Sequence, residues 1–379
     1  MAAALALAAC SSLQAPGPAD GAASGAPVTA NAPAGSRAAQ ADAAAASVAR
    51  ETPPDAQMQQ VLNELQALGA KPLHSLSVDA ARRAPTPADA VREVLRKQGK
   101  STAPMAVARV VNGNFQGPGG PIAARIYWPQ SALTNPAGTA LPVVLYIHGG
   151  GWVIADLDTY DATARALANS TNAIVVATHY RQAPEHKFPA AHEDTWAAYQ
   201  WVLTNAQRFG ADPKRVAVAG ESAGANMAAA IALRARDEKS QAPLHQLLVY
   251  PVADAAVSSP SEQVFQKSMP LASPDLPWFY EKYLRRPEDA NNKYFAISQA
   301  DLRGVAPATV ITAQIDPLRS EGEQYAERLA AAGVPVRLRN FDGVTHEFFG
   351  MGAVVDKARE AVAYGAAGLQ QSLQGASSR

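Results

Sequence analysis

The chain has 379 residues, with 33 Lys plus Arg against 33 Asp plus Glu, 48% hydrophobic and 17% charged residues. This balance provides no overall field to draw in nucleic acid or an anionic surface, and the length suits one large globular domain or two ordinary ones. No run reaches the roughly 18 apolar residues needed to span a bilayer, and the single cysteine, Cys10, excludes an intrachain disulfide and a multi-cysteine metal site.

In chain order, Leu7-Ala8-Ala9-Cys10 closes a run of Leu and small residues. It resembles a bacterial lipoprotein cleavage box, whose cysteine becomes the lipidated first residue. That implies export and membrane anchoring through Cys10, at the periplasmic face or outer membrane. An unprocessed Ala-rich terminus on a cytoplasmic protein is the alternative. Residues 11–54 are almost all Ala, Pro, Gly and Ser, too poor in bulky apolar side chains to offset the entropy of ordering, and read as a tether.

Residues 55–104 read as helical. In "DAQMQQVLNELQALGA", Met58, Val61, Leu62, Leu65 and Leu68 recur at helical spacing and Gly69 follows as a stop. Thr86, Pro87 and Asp89 form a capping-box signature for a second helix. From 105 onward the period changes. "MAVARVVN" and "PIAARIYWP" flank a Gly/Pro turn at 117–120 and predict a hairpin. Apolar strand-like runs follow at 141–147, 173–180, 215–220, 246–252, 308–314 and 334–341, with helical stretches at 190–207, 223–237 and 320–332. Such alternation predicts an α/β fold with a mostly parallel sheet covered by helices on both faces. The aromatic-rich interval at about 255–300 interrupts the alternation and reads as an insertion over a pocket.

The chemistry-bearing signal is "VAVAGESAGANMAAA". A strand-like run ends in Gly220-Glu221-Ser222-Ala223-Gly224 and a helix begins at once. This is a G-x-S-x-G nucleophile elbow in its strand–turn–helix context, with Ser222 at a helix N-terminus that favours a developing oxyanion. A serine hydroxyl needs a base. Of the seven histidines, His346 in "NFDGVTHEFFG" lies between the last strand and the last helix; His192 reads as structural or surface. The base needs a carboxylate to orient it. Asp316, directly after a strand, is favoured over its rival Asp254 and over Asp342. Gly149, Gly150 and Gly151 end the strand at 141–147 without the Lys-Ser/Thr of a phosphate loop. They are expected to form an oxyanion hole with the Ala223 N–H, bare because a Cβ would block the acyl group.

"HGGGW", "GESAG", "DPLRSEGE" and "HEF", with "YRQAPEHKFPAA" and "YPVAD", resemble the bacterial hormone-sensitive-lipase-like (family IV) esterases of the α/β-hydrolase fold from about residue 55 onward. The resemblance implies carboxylic-ester hydrolysis with no cofactor and no metal, on Ser222, His346 and Asp316. It also implies a helical cap made of residues 55–104 and the insertion at 255–300 on a catalytic domain running from 105 to 379. Two departures stand out: Glu221 replaces the commoner Asp, and Ser320 stands where a second acid is usual. Trp152, Trp278, Phe279 and Phe115 are candidate pocket residues. An amidase, lactonase or deacetylase on the same triad, or a non-catalytic receptor for a small ligand, are the alternatives. Monomer and homodimer both stay open.

Overall fold

A computed structural model describes residues 53–136, 139–255 and 259–375; Cys10 and the tether at 11–52 lie outside them. Eight strands form one sheet: β1 Arg109–Gly117, β2 Gly120–Trp128, β3 Leu141–Ile147, β4 Ile174–Thr178, β5 Ala211–Glu221, β6 Gln246–Val249, β7 Ala308–Ile315 and β8 Val336–Thr345. Their order is β1-β2-β4-β3-β5-β6-β7-β8. The β1–β2 hairpin pairs antiparallel to the rest, and β4 through β8 run parallel.

The period-2 alternation in the central strands divides the interior. Val143, Leu145 and Ile147 face one way, into the layer of α5 (Ala190–Asn205), α6 (Ala223–Asp237) and α9 (Arg319–Ala331). Val144 and Tyr146 face the other, into the layer of α4 (Asp161–Thr171) and α10 (Asp356–Gly375). Each large apolar side chain buried this way contributes about 1.5–3 kcal/mol, and covering both faces is what a parallel sheet requires.

The N-terminal segment forms α1 (Ala56–Ala67), α2 (Val78–Arg82) and α3 (Pro87–Lys97). Thr86 and Asp89 complete the expected capping box, and Gly69 takes φ +86° just past α1. Met58, Val61 and Leu65 of α1 and Ala90, Val91 and Val94 of α3 join the α4/α10 layer. The insertion holds α7 (Pro260–Val264) and α8 (Asp275–Tyr283). His74 ties the N-terminal segment to this insertion, its ring and its backbone N–H both meeting Asp275 Oδ1, at 2.7 and 2.9 Å.

Several boundaries differ from the sequence reading. The first hairpin strand starts at Arg109 rather than at the exposed Met105 and runs through Asn112 to Gly117, since its partner extends to the same turn. The run at 246–252 stops at Val249, because Tyr250 turns to φ +37° and Pro251 follows. The last strand continues past 341 to Thr345 and carries the chain directly to His346.

Candidate active site

Register alone assembles most of the site. Neighbouring parallel strands lie about 4.8 Å apart, so residues just beyond paired strand ends become neighbours. Ile315 pairs with Thr345, and the next residues are Asp316 and His346. Glu221 pairs with Val249, followed by Ser222 and Tyr250. Ile147 pairs with Gly220, which sets His148 beside Glu221 and Gly149 beside Ser222.

The elbow is forced by close packing. A Cβ at Gly220 would lie 2.3 Å from the Gly224 backbone, and one at Gly224 would lie 2.1 Å from the Ile147 carbonyl. Ser222 takes φ +56° at the start of α6 and makes no side-chain capping bond. A serine at a helix N-terminus normally turns its hydroxyl onto the first-turn N–H groups. Here the strained backbone turns it outward instead, where Oγ meets His346 Nε2 at 3.1 Å. His346 Nδ1 donates to Asp316 Oδ2 at 2.7 Å, while Asp316 Oδ1 accepts the Leu318 N–H at 2.8 Å. All three residues are buried. Burial alone would lower the His346 pKa, but the charge and hydrogen bond of Asp316, with Glu347 and Glu221 behind it, hold it above the ordinary value.

The rivals are engaged elsewhere. Asp254 accepts from Ser298 and Gln299, and Asp342 accepts from Asn340. His192 is structural and fully interior rather than at the surface, with Nδ1 on the Tyr283 hydroxyl and Nε2 on Asn226 Oδ1.

A cavity of about 720 Å³ opens over Ser222 and His346. Residues of the N-terminal segment, such as Leu73 and Arg82, and of the insertion, such as Leu271 and Leu276, both line it. Arg82 braces this roof, donating to the Val153 and Ala183 carbonyls and to both oxygens of Glu185. Trp152 and Phe279 line the cavity; Trp278 and Phe115 do not. On α8 the inward face is Leu276, Phe279 and Tyr280, and Trp278 falls on another side, packed edge-on to Phe279 under Lys282. Phe115 lies against Trp201 within the α5 layer.

Each glycine of the triple run is bare for its own reason. A Cβ at Gly149 would meet the Tyr160 hydroxyl at 2.4 Å; at Gly150, the Ile154 carbonyl at 2.2 Å; at Gly151, the Phe279 ring at 2.2 Å. The expectation that an incoming acyl group enforces the bareness is therefore corrected: protein atoms already occupy those directions. Gly150 and Gly151 line the cavity, whereas Gly149 does not. Ala223 is the first residue of α6, so no helical carbonyl takes its N–H.

Behind the elbow lies a polar cluster that no local motif announces. The Tyr146 and Tyr250 hydroxyls both donate to the Glu221 carboxylate, and burial with the nearby Glu347 charge pushes Glu221 up to about 7. Glu221 is thus clamped despite departing from the commoner Asp. Ser320 does not reach His346. It exchanges hydrogen bonds with Ser261, Oγ accepting from Ser261 N at 3.1 Å and its N–H reaching Ser261 Oγ at 3.0 Å, and so pins α7 to the Asp316 loop. Among the described residues, no group of three or more His, Cys, Asp or Glu is gathered to hold a metal ion.

Residues 144–350 match the family model of the alpha/beta hydrolase fold. Esterase LipI of Mycobacterium tuberculosis is 42% identical over 272 residues, covering 70% of this chain and 83% of its own. Carboxylesterase NlhH of the same organism is 42% identical over 257 residues, 66% of this chain and 79% of its own. Among solved structures, a hyperthermophilic esterase from the archaeon Pyrobaculum calidifontis superposes with a TM-score of 0.76 at 36% identity, covering 84% of this chain and 99% of that one.

Proposed function

The chain belongs to the hormone-sensitive-lipase-like esterases (family IV) of the α/β-hydrolase fold, and from that premise we propose that it is a serine carboxylesterase acting on short- to medium-chain esters through Ser222, His346 and Asp316. The observation that carries the reading is the continuous relay Ser222 Oγ–His346 Nε2 at 3.1 Å and His346 Nδ1–Asp316 Oδ2 at 2.7 Å, on the floor of a cavity.

Ser222 Oγ attacks the ester carbonyl carbon while its proton passes to His346 Nε2. Asp316 fixes the Nδ1–H tautomer, leaving the Nε2 lone pair for that proton, and stabilises the imidazolium. The N–H groups of Gly150, Gly151 and Ala223 serve the oxyanion, each donor supplying about 3 kcal/mol to the transition state. As the tetrahedral species collapses, Nε2 returns the proton to the leaving alkoxide oxygen. Water then gives a proton to Nε2 as it attacks the acyl carbon, and collapse of the second tetrahedral species breaks the bond to Ser222 Oγ, which takes that proton back as the acid leaves. The N-terminal segment and the insertion act as a cap, and Phe279 against Gly151 bounds the acyl space.

The test is hydrolysis of p-nitrophenyl esters from acetate to laurate by wild type and Ser222→Ala. Rates should peak at short chains and decline toward laurate, and Ser222→Ala should lose on the order of 10⁵–10⁶ in kcat. A Ser222→Ala enzyme within tenfold of wild type would remove the assignment.

A further inference from the structure

Asp316 occupies the Nδ1 side of His346, and a second carboxyl occupies the other. Glu347 follows directly in sequence and takes φ +68°. This turn brings Oε1 to 3.8 Å from His346 Nε2, the nitrogen that faces Ser222. Glu347 also lines the substrate cavity. Its carboxylate does not swing freely, because the Tyr160 hydroxyl donates to Oε1 at 2.6 Å. The approach of Tyr160 is built into the fold: its hydroxyl fills the space where a Cβ at Gly149 would stand, 2.4 Å away. The first glycine of the run thus lets a tyrosine through to a carboxylate.

A non-glycine residue in the left-handed region is strained and persists only where the surroundings impose it. Glu347 carries that strain beside the proton-shuttling atom.

We infer that Glu347 is a positioning residue for ester hydrolysis: its carboxylate, clamped by Tyr160 at the Nε2 edge of His346, stabilises the imidazolium formed when Ser222 gives up its proton. This rests on the esterase reading above. Burial raises the Glu347 pKa, and the His346 charge and the Tyr160 bond oppose that rise, so a protonated ring favours the carboxylate; that negative charge in turn opposes loss of the proton, complementing Asp316 from the opposite edge. It therefore holds the proton on the ring until the leaving oxygen, and in the second half-reaction Ser222 Oγ, takes it up. The groups facing this carboxyl are Tyr160 at the head of α4, His346 itself, Asp316 after β7, Glu221 at the end of β5, and the hydroxyls of Tyr146, Tyr180 and Tyr250. The tyrosines stay protonated, since burial raises each of them well above its ordinary value.

The experiment compares kcat and kcat/KM against pH for p-nitrophenyl butyrate in wild type, Glu347→Gln and Tyr160→Phe, with Ser222→Ala as the reference for the reaction itself. Glu347→Gln keeps an oxygen to accept from Tyr160, so a loop held only by that bond is undisturbed. The inference expects the acid limb of kcat/KM to move down by about one pH unit, and the plateau kcat to fall about tenfold with KM within about twofold. Tyr160→Phe, which keeps the charge but frees it, should shift the limb the same way by less. Titration of sites with a phosphonate ester counts the folded enzyme in each variant. If Glu347→Gln does not fold, the Tyr160→Phe profile decides. An acid limb and plateau unchanged in the folded variants would overturn the role of Glu347 while an inactive Ser222→Ala leaves the esterase intact. A Ser222→Ala enzyme of wild-type rate would overturn both.

Discussion

Two buried histidines sit one helical turn apart along α6, and they illustrate what burial does and does not decide. His346 meets Ser222, where the helix begins; His192 meets Asn226, four residues on. Their exposures are nearly the same, 3% and 6%. Their partners differ. His346 has the Asp316 carboxylate on Nδ1 and is held above its ordinary pKa despite the desolvation that would lower it. His192 has only neutral partners. Asn226 spends its amide nitrogen on the Val252 and Phe295 carbonyls, at 2.9 and 2.7 Å, so its oxygen must face the ring. His192 Nε2 therefore donates and Nδ1 accepts from Tyr283, which fixes a neutral tautomer. Desolvation, only partly opposed by these bonds, lowers His192 to about 4. A ring that stays neutral is a good strut and a poor proton shuttle. The charge next to the imidazole, rather than its depth, separates base from scaffold.

The sharpest way to break this contrast is to give His346 a neutral partner as well. Asp316→Asn should retain the fold and lower kcat by about 10⁴, because an amide both loses the charge and permits the wrong tautomer. Steady-state kinetics on p-nitrophenyl butyrate checks it, and a loss below tenfold would show that charge is not what distinguishes the two sites.

The next effect is on stability in acid. Burial first of all lowers His192 and His245 to about 4 and His148 to about 3, from 6.5. The unfolded chain then binds more protons than the folded one between about 6.5 and 4. The stability these residues contribute is complete above pH 6.5 and drains as pH falls through that window, on the order of 3 kcal/mol from each. His346 and Glu221, raised in the folded state, act with the opposite sign: their contribution is present at low pH and is lost as pH rises, for Glu221 through about 7. Glu321 and Glu347 are raised by burial as well and His179 is lowered, so the histidine contribution is read by difference: the urea midpoint should fall further between pH 6.5 and 4 in wild type than in His245→Gln. An equal fall in the two proteins would contradict the neutral assignment.

The smallest effect isolates the scaffold residue. His192→Ala strands the Tyr283 hydroxyl and the Asn226 oxygen inside the protein, which costs about 1–3 kcal/mol of stability. Urea unfolding should register that loss and a shallower acid slope, while kcat stays within a few-fold of wild type.

The parts of the site that could be read before folding are those whose chemistry is written in backbone. Gly220 and Gly224 mark the elbow because strand and helix cannot close over a Cβ. Asp316 and His346 each follow an apolar run of the kind that becomes a parallel strand, and the register of Ile315 with Thr345 sets them side by side. Trp278 and Phe279 read alike as pocket residues because aromatic content does not reveal which face of a helix points inward; one residue of rotation puts Phe279 in the cavity and Trp278 outside it. Gly149, Gly150 and Gly151 look alike in sequence, whereas in space Tyr160, the Ile154 carbonyl and Phe279 each claim a different one. Ser320 stands where a second acid is usual, and its partner Ser261, 59 residues away in the insertion, follows from no local pattern.

The amino-acid sequence by itself therefore determined the fold class and picked out the hydroxyl, imidazole and carboxylate that the fold brings together, because periodicity and glycine placement are local consequences of backbone geometry. Tertiary structure alone decided what surrounds them. Tyr160 reaches Glu347 across 187 residues, and Tyr146 on β3 and Tyr250 just past β6 converge on Glu221. Such contacts follow from strand order and helix rotation, which no short stretch of chain encodes.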